Sequence, residues 1–94
     1  MSVTKTVTFI AKEGCEASLR ALLADMVAPS KAEKGCVLYE IFQLKHEPSK
    51  FLVIESWEDE AALEGHKASA HYAHYKSHFE PFCAFKSSDD LEFL

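Results

Sequence analysis

Two β-type runs in the middle of the chain, residues 36–45 (CVLYEIFQLK) and 50–57 (KFLVIESW), are apolar on both of their faces, and this constrains the fold more than any other feature. In the first run Cys36, Leu38, Phe42 and Leu44 alternate with Val37, Tyr39 and Ile41. In the second, Phe51, Val53 and Trp57 alternate with Leu52 and Ile54. Residues 46–49 (HEPS) form a four-residue loop of the kind that closes an antiparallel hairpin. A sheet built around such a hairpin has to be covered on both sides.

The flanking segments supply cover for one side. Residues 3–11 alternate Val3, Val7 and Phe9 against Thr4, Thr6 and Thr8 and read as a first strand. Cys15, Leu19, Leu22, Leu23, Met26 and Val27 then recur with helical spacing on one stripe, and Pro29 followed by Glu33-Lys34-Gly35 is expected to end that helix. After the hairpin, Asp59 opens a short acidic helix, and Ser69 caps a second helical run whose core face is Tyr72, Tyr75, Phe79 and Phe82. Pro81, which has no N–H to donate, predicts a bend, and residues 89–94 (DDLEFL) read as a final edge strand. The order βαββαβ predicts an α+β, ferredoxin-like fold: a four-stranded antiparallel sheet with both helices on one face. Two helices leave the other face bare, and the economical cover is a second copy packed sheet to sheet, an isologous homodimer.

Length and composition bound the rest. A chain of 94 residues is read as a single domain over 1–94. Fifteen acidic against ten basic side chains give a net charge of -5, with the lysines scattered, so nucleic acid is not an expected partner. No apolar run approaches the roughly 20 residues of a membrane span, and the N-terminal residues lack the pattern of a secretory signal, so the expected location is cytoplasmic and no membrane partner is expected. Cys15, Cys36 and Cys83, odd in number and widely spaced, are expected to be buried free thiols rather than a disulfide framework or metal clip.

Two constellations are able to carry chemistry. If residues 45 and 50 face each other across the hairpin, Glu40 falls opposite Glu55 in apolar company, where the pair could share a proton; pairing of each with a cation or backbone donor, or a bulge that changes the register, is the alternative. Four of the five histidines lie between 66 and 78. His71, His74 and His78 project within about 60° of one another on a helix, but they bring no Cys or carboxylate at a matching spacing and read as a helix surface rather than a metal site. His66 and His71 bracket the break between the two helical pieces and are the better acid/base candidates, since imidazole changes charge nearest neutral pH.

The stretch GCVLYEIFQLKHEPSKFLVIESWEDEAALEGHKASAHYAHY resembles the signature region of the antibiotic biosynthesis monooxygenase family of small dimeric α+β barrel proteins. The shared marks are Gly-Cys, a Tyr in the second strand, a Pro in the hairpin loop, Glu-x-Trp at the end of the third strand, and His followed by Ser-x-His. The resemblance implies a homodimer whose two sheets pack into a barrel, with a pocket in each subunit between sheet and helices. It implies oxygenation of polycyclic phenols or quinols by O₂ without metal or flavin; other members degrade haem or act on small signalling molecules. The haem-degrading branch uses a strand-one Asn and a helical Trp-His pair, which this chain lacks.

Carried over by residue, the resemblance implies that Tyr39, Trp57, His66 and His71 line the pocket with Glu55 nearby, although the register above puts Tyr39 on the opposite face from Glu55. In a cofactor-free oxygenase the substrate supplies the electrons, so a base must first ionise it. His66 or His71 is the expected catalytic base, and Trp57, Tyr72, Tyr75 and Phe79 are able to stack on a planar substrate, although Tyr75 and Phe79 suit a plain core better. The other class open to this chain is a non-catalytic, dimeric ligand-binding or stress-associated module on the same fold.

Overall fold

The computed structural model describes residues 2–94. Its elements are β1 (Val3–Ala11), α1 (Glu16–Ala24), α2 (Val27–Lys31), β2 (Cys36–Leu44), β3 (Glu47–Trp57), α3 (Glu60–Lys67), α4 (Ala70–His78), a 3₁₀ turn (Glu80–Phe82) and β4 (Cys83–Leu91). All pairings are antiparallel and the strand order is β2-β3-β1-β4, the ferredoxin-like arrangement anticipated from the element order.

One face of the sheet carries the core. Phe9, Phe51, Val53, Trp57 and Tyr39 point from the strands into a cluster closed by Leu19, Leu22, Leu23 and Met26 from the first helical segment and by Leu63, Tyr75 and Phe79 from the last two helices. The other face holds Leu38, Phe42 and Leu44 of β2, Leu52 and Ile54 of β3, and the Thr row of β1. In the isolated chain Phe42 and Phe85 on that face remain 52% and 51% exposed.

Four sequence expectations are corrected. The first helix is two: it breaks at Asp25-Met26, and Pro29 lies inside α2 rather than ending the helix. The cause is local, because a proline ring clashes with the carbonyl four residues earlier, here that of Asp25, and cannot donate to it. The hairpin turn is only Lys45-His46, and an irregularity between Gln43 and Leu44 leaves residues 48–50 unmatched on β3. Gln43 therefore opposes Phe51, which sets Tyr39 opposite Glu55 and Glu40 opposite Ile54. Glu40 and Glu55 do not pair; Glu40 instead meets Lys31 at 2.8 Å. The last strand begins at Cys83, not Asp89, and ends at Leu91; its polar residues Lys86–Asp90 hide it from an alternation test, yet it pairs along β1. The three cysteines are free but only half-buried.

Candidate active site

Two backbone devices build the site. Gly35 has φ +84°, and a Cβ there would come within 2.6 Å of Ala62 Cβ, so only glycine lets the loop after α2 lie against α3. The amide of Glu58 donates to the Gly35 carbonyl at 2.8 Å and holds the contact. Ala62 and His66 are one helical turn apart on α3, so the loop that touches Ala62 through Gly35 delivers Glu33 to His66.

The second device is the break between α3 and α4. Asp59 caps α3 by accepting from the Ala62 amide at 2.8 Å. Ser69 caps α4, accepting from the Tyr72 amide at 3.2 Å while donating its hydroxyl hydrogen to the His66 carbonyl at 2.6 Å. With that hydrogen committed, His71 Nε2, 3.2 Å from Ser69 Oγ and 3.1 Å from Glu33 Oε1, has to be the donor. The cap thus turns His71 back toward the loop.

His66 is the centre of the arrangement. It is 3% exposed, its Nδ1 lies 2.7 Å from Glu33 Oε2, and its ring lies 4.6 Å from the Trp57 indole and 5.2 Å from Tyr72. An ionised carboxylate only accepts, so Nδ1 carries the proton of that bond and Nε2 is the nitrogen left for a ligand. Trp57, fully buried, donates from Nε1 to Glu55 Oε1 at 2.8 Å; both side chains point to the helix side because they are two apart on β3.

Between sheet and helices lies a cavity of about 60 Å³. Its wall is apolar at Val7, Phe9, Leu23, Met26 and Val53, and polar at Tyr39, Glu55, His66, Tyr72, Tyr75 and Lys86. A shallower space of about 200 Å³ shares Val7, Glu55, His66, Tyr72 and Lys86 with it and opens outward past Lys5, Lys67 and Ser88. Burial, and next the Glu55 carboxylate, push the Tyr39 phenol well above its ordinary range. Tyr39 is therefore a neutral hydrogen-bond donor, not a base. Lys86 lies 4.9 Å over the Phe79 ring, and desolvation there, followed by repulsion from Lys76, lowers its pKa.

Of the residues singled out from sequence, Tyr39, Glu55, His66, Tyr72 and Tyr75 line one cavity. The corrected register brings Tyr39 onto the face of Glu55. Trp57 and His71 do not line it: the indole is drawn under His66 by its bond to Glu55, and His71 is held behind His66 at Glu33. His74 and His78 stack on each other at 4.3 Å, and His78 Nδ1 sits 2.7 Å from the His74 carbonyl, so the three helical imidazoles do not converge. Glu33 and Lys86 were missed. Glu33 looks like ordinary turn chemistry, and Lys86 lies in a strand too polar to be recognised; neither carries a local signal.

The model of the family described as antibiotic biosynthesis monooxygenase matches residues 2–77. The Mycobacterium tuberculosis protein Rv0793 is 30% identical over 69 residues, covering 73% of this chain and 67% of that one. Bacillus subtilis YcnE is 38% identical over 47 residues, half of each chain. Among solved structures, PA3566 from Pseudomonas aeruginosa superposes with a TM-score of 0.94 at 34% identity, covering 99% of this chain and 94% of that one. The structure of Rv0793 superposes at 0.92 with 25% identity, covering 100% and 96%.

Proposed function

The chain belongs to the antibiotic biosynthesis monooxygenase family, and from that premise we propose that it oxygenates an electron-rich phenol or quinol with O₂, without metal or flavin, using His66 as the base. The observation that carries this reading is the placement of His66 between a carboxylate and a cavity. Glu33 holds Nδ1, the ring borders both the inner cavity and the outer space, and Nε2 remains for the substrate. This is the base-and-orienter relation of an acid/base site, with Glu33 as the positioning residue.

The inner cavity, at about 60 Å³, has room for a few waters and suits O₂ and the reacting edge of a ring. The ring itself sits in the outer space against Tyr72. His66 Nε2 removes a proton from the substrate. The resulting anion passes one electron to O₂, and radical and superoxide combine to form a carbon–oxygen bond. For a substrate CH₂ carbon, loss of water from the hydroperoxide leaves a carbonyl: one oxygen atom stays in the product, the other leaves as water, and the carbon supplies all four electrons. In this reading Tyr39, a neutral phenol in the cavity wall, donates a hydrogen bond to the developing charge.

The active form in this reading is a homodimer, supported by the apolar open face of β2 and β3. The test is O₂ uptake against a panel of quinols and anthrones, with and without chelator. Turnover that His66→Ala lowers by about 10² to 10⁴-fold, the usual worth of general acid/base catalysis, is the expected outcome. A second reading, a non-catalytic small-ligand-binding module, is favoured by the small inner cavity; ligand binding without O₂ uptake for any substrate would establish it instead.

A further inference from the structure

We propose that Glu33, His66 and His71 form a binding site for a divalent transition-metal ion of the zinc class, and that this ion competes with the base function of His66. Three elements bring the donors together: the loop after α2, the last turn of α3 and the first turn of α4. One carboxylate oxygen, His66 Nδ1 and His71 Nε2 all lie within 4.8 Å of one another. Two imidazole nitrogens and a carboxylate are a donor set that zinc accepts at about 2.0–2.2 Å, and tetrahedral geometry then asks for donors about 3.4 Å apart. Glu33 already reaches both rings, through Oε2 at 2.7 Å from His66 Nδ1 and through Oε1 at 3.1 Å from His71 Nε2. The remaining adjustment falls on His71, which is a fifth exposed and stands in the first turn of α4.

The site is pre-organised on one side and open on the other. His66 is fixed between the Trp57 and Tyr72 rings, so Nδ1 points at Glu33 before any ion arrives. Glu33 and His66 also border a surface groove of about 480 Å³, which shares only His66 with the lining of the inner cavity and gives an ion and a water ligand access. Glu58 and Asp59 in that groove outnumber its single cation, Lys34, so the local field favours a divalent cation. In the metal-free chain two shared protons link the three groups, and an ion replaces both. Coordination through Nδ1 leaves Nε2 as an N–H donor toward the cavity, which cannot accept a substrate proton. Metal loading and base catalysis are therefore mutually exclusive at His66.

The experiment is titration of the chelator-treated 94-residue chain with Zn²⁺ by calorimetry and with Co²⁺ by visible absorption, with no substrate present. One ion per chain is expected, with the intense visible bands of a low-coordinate Co²⁺ site. Glu33→Gln and His71→Ala should each weaken binding at least about tenfold, and the double change His74→Ala/His78→Ala should leave it unaltered. Thermal melts of the metal-free variants test whether each is folded, and Glu33→Gln, nearly isosteric, decides the matter if His71→Ala is not. No binding, binding unaffected by Glu33→Gln, or binding lost with His74 and His78 would each overturn the proposal. Because no substrate is involved, zinc binding without any phenol turnover removes the base reading alone, and turnover without zinc binding removes this proposal alone.

Discussion

His66 is a polar ring buried against an indole, a position tolerable only because Glu33 accepts a hydrogen bond from its Nδ1 and the ring borders a cavity. Glu33→Gln keeps one acceptor but adds an amide donor that can hold the ring in the wrong tautomer, so turnover in the O₂-uptake assay should fall by about tenfold or more while the melting temperature shifts little. The tyrosines make a second prediction. All three, Tyr39, Tyr72 and Tyr75, have pKa values raised first of all by burial, with Glu55 adding to Tyr39 and to Tyr72, and Tyr72 adding to Tyr75. Above the ordinary phenol value of about 10, the unfolded chain releases protons that the folded chain keeps. The corresponding stability is fully present below that pH and is lost as pH rises beyond it. Tyrosinate absorbance and loss of near-ultraviolet circular dichroism should thus appear in one transition above about pH 10; a folded protein with tyrosines titrating near the ordinary value would contradict it.

At the scale of elements, the site depends on where helices start and stop. Gly35→Ala forces a side chain into a left-handed backbone position and against Ala62, so it should cost about 2 kcal/mol or more in denaturant unfolding. It should also pull Glu33 from His66, lowering activity beyond what stability explains. Ser69→Ala removes the α4 cap and should cost about 1 kcal/mol. The Ser69 cap was readable in the sequence because capping is a contact between near neighbours in the chain; Asp59, read as the first residue of its helix, is the N-cap one position before it. The α1–α2 break was not readable, although its cause, Pro29, was in view: the apolar stripe from Cys15 to Val27 runs straight through the break, since the core needs Met26 on both accounts.

For the whole molecule, the decisive fact is a sheet with one covered and one bare face. Phe42, Phe85 and Leu91 are exposed in the isolated chain, beside the half-buried Leu38, Leu52 and Ile54. A dimer joined through this face should give a light-scattering mass about twice the 10.6 kDa of the chain at micromolar concentration. Ile54→Glu should dissociate it and lower its stability together; a monomeric wild-type chain would refute the interface. Among the described residues no helix is long and apolar enough to cross a membrane.

What the sequence determined by itself is what short-range periodicity encodes. The element order, the antiparallel hairpin, the Ser69 cap and the two-faced apolarity of β2 and β3 all follow from neighbours within a few residues, and together they imply the fold. The register of that hairpin was not among them, because a bulge depends on how side chains such as Gln43, which donates to the Pro48 carbonyl at 2.7 Å, settle against the partner strand. One residue of slip moved Tyr39 onto the face of Glu55 and separated Glu55 from Glu40. Nor could the sequence supply Glu33, which stands 33 positions before His66 and meets it only once Gly35 has docked its loop on α3. Candidate groups for chemistry are visible one at a time; which of them share a cavity is decided by long-range packing, and no local pattern carries that information.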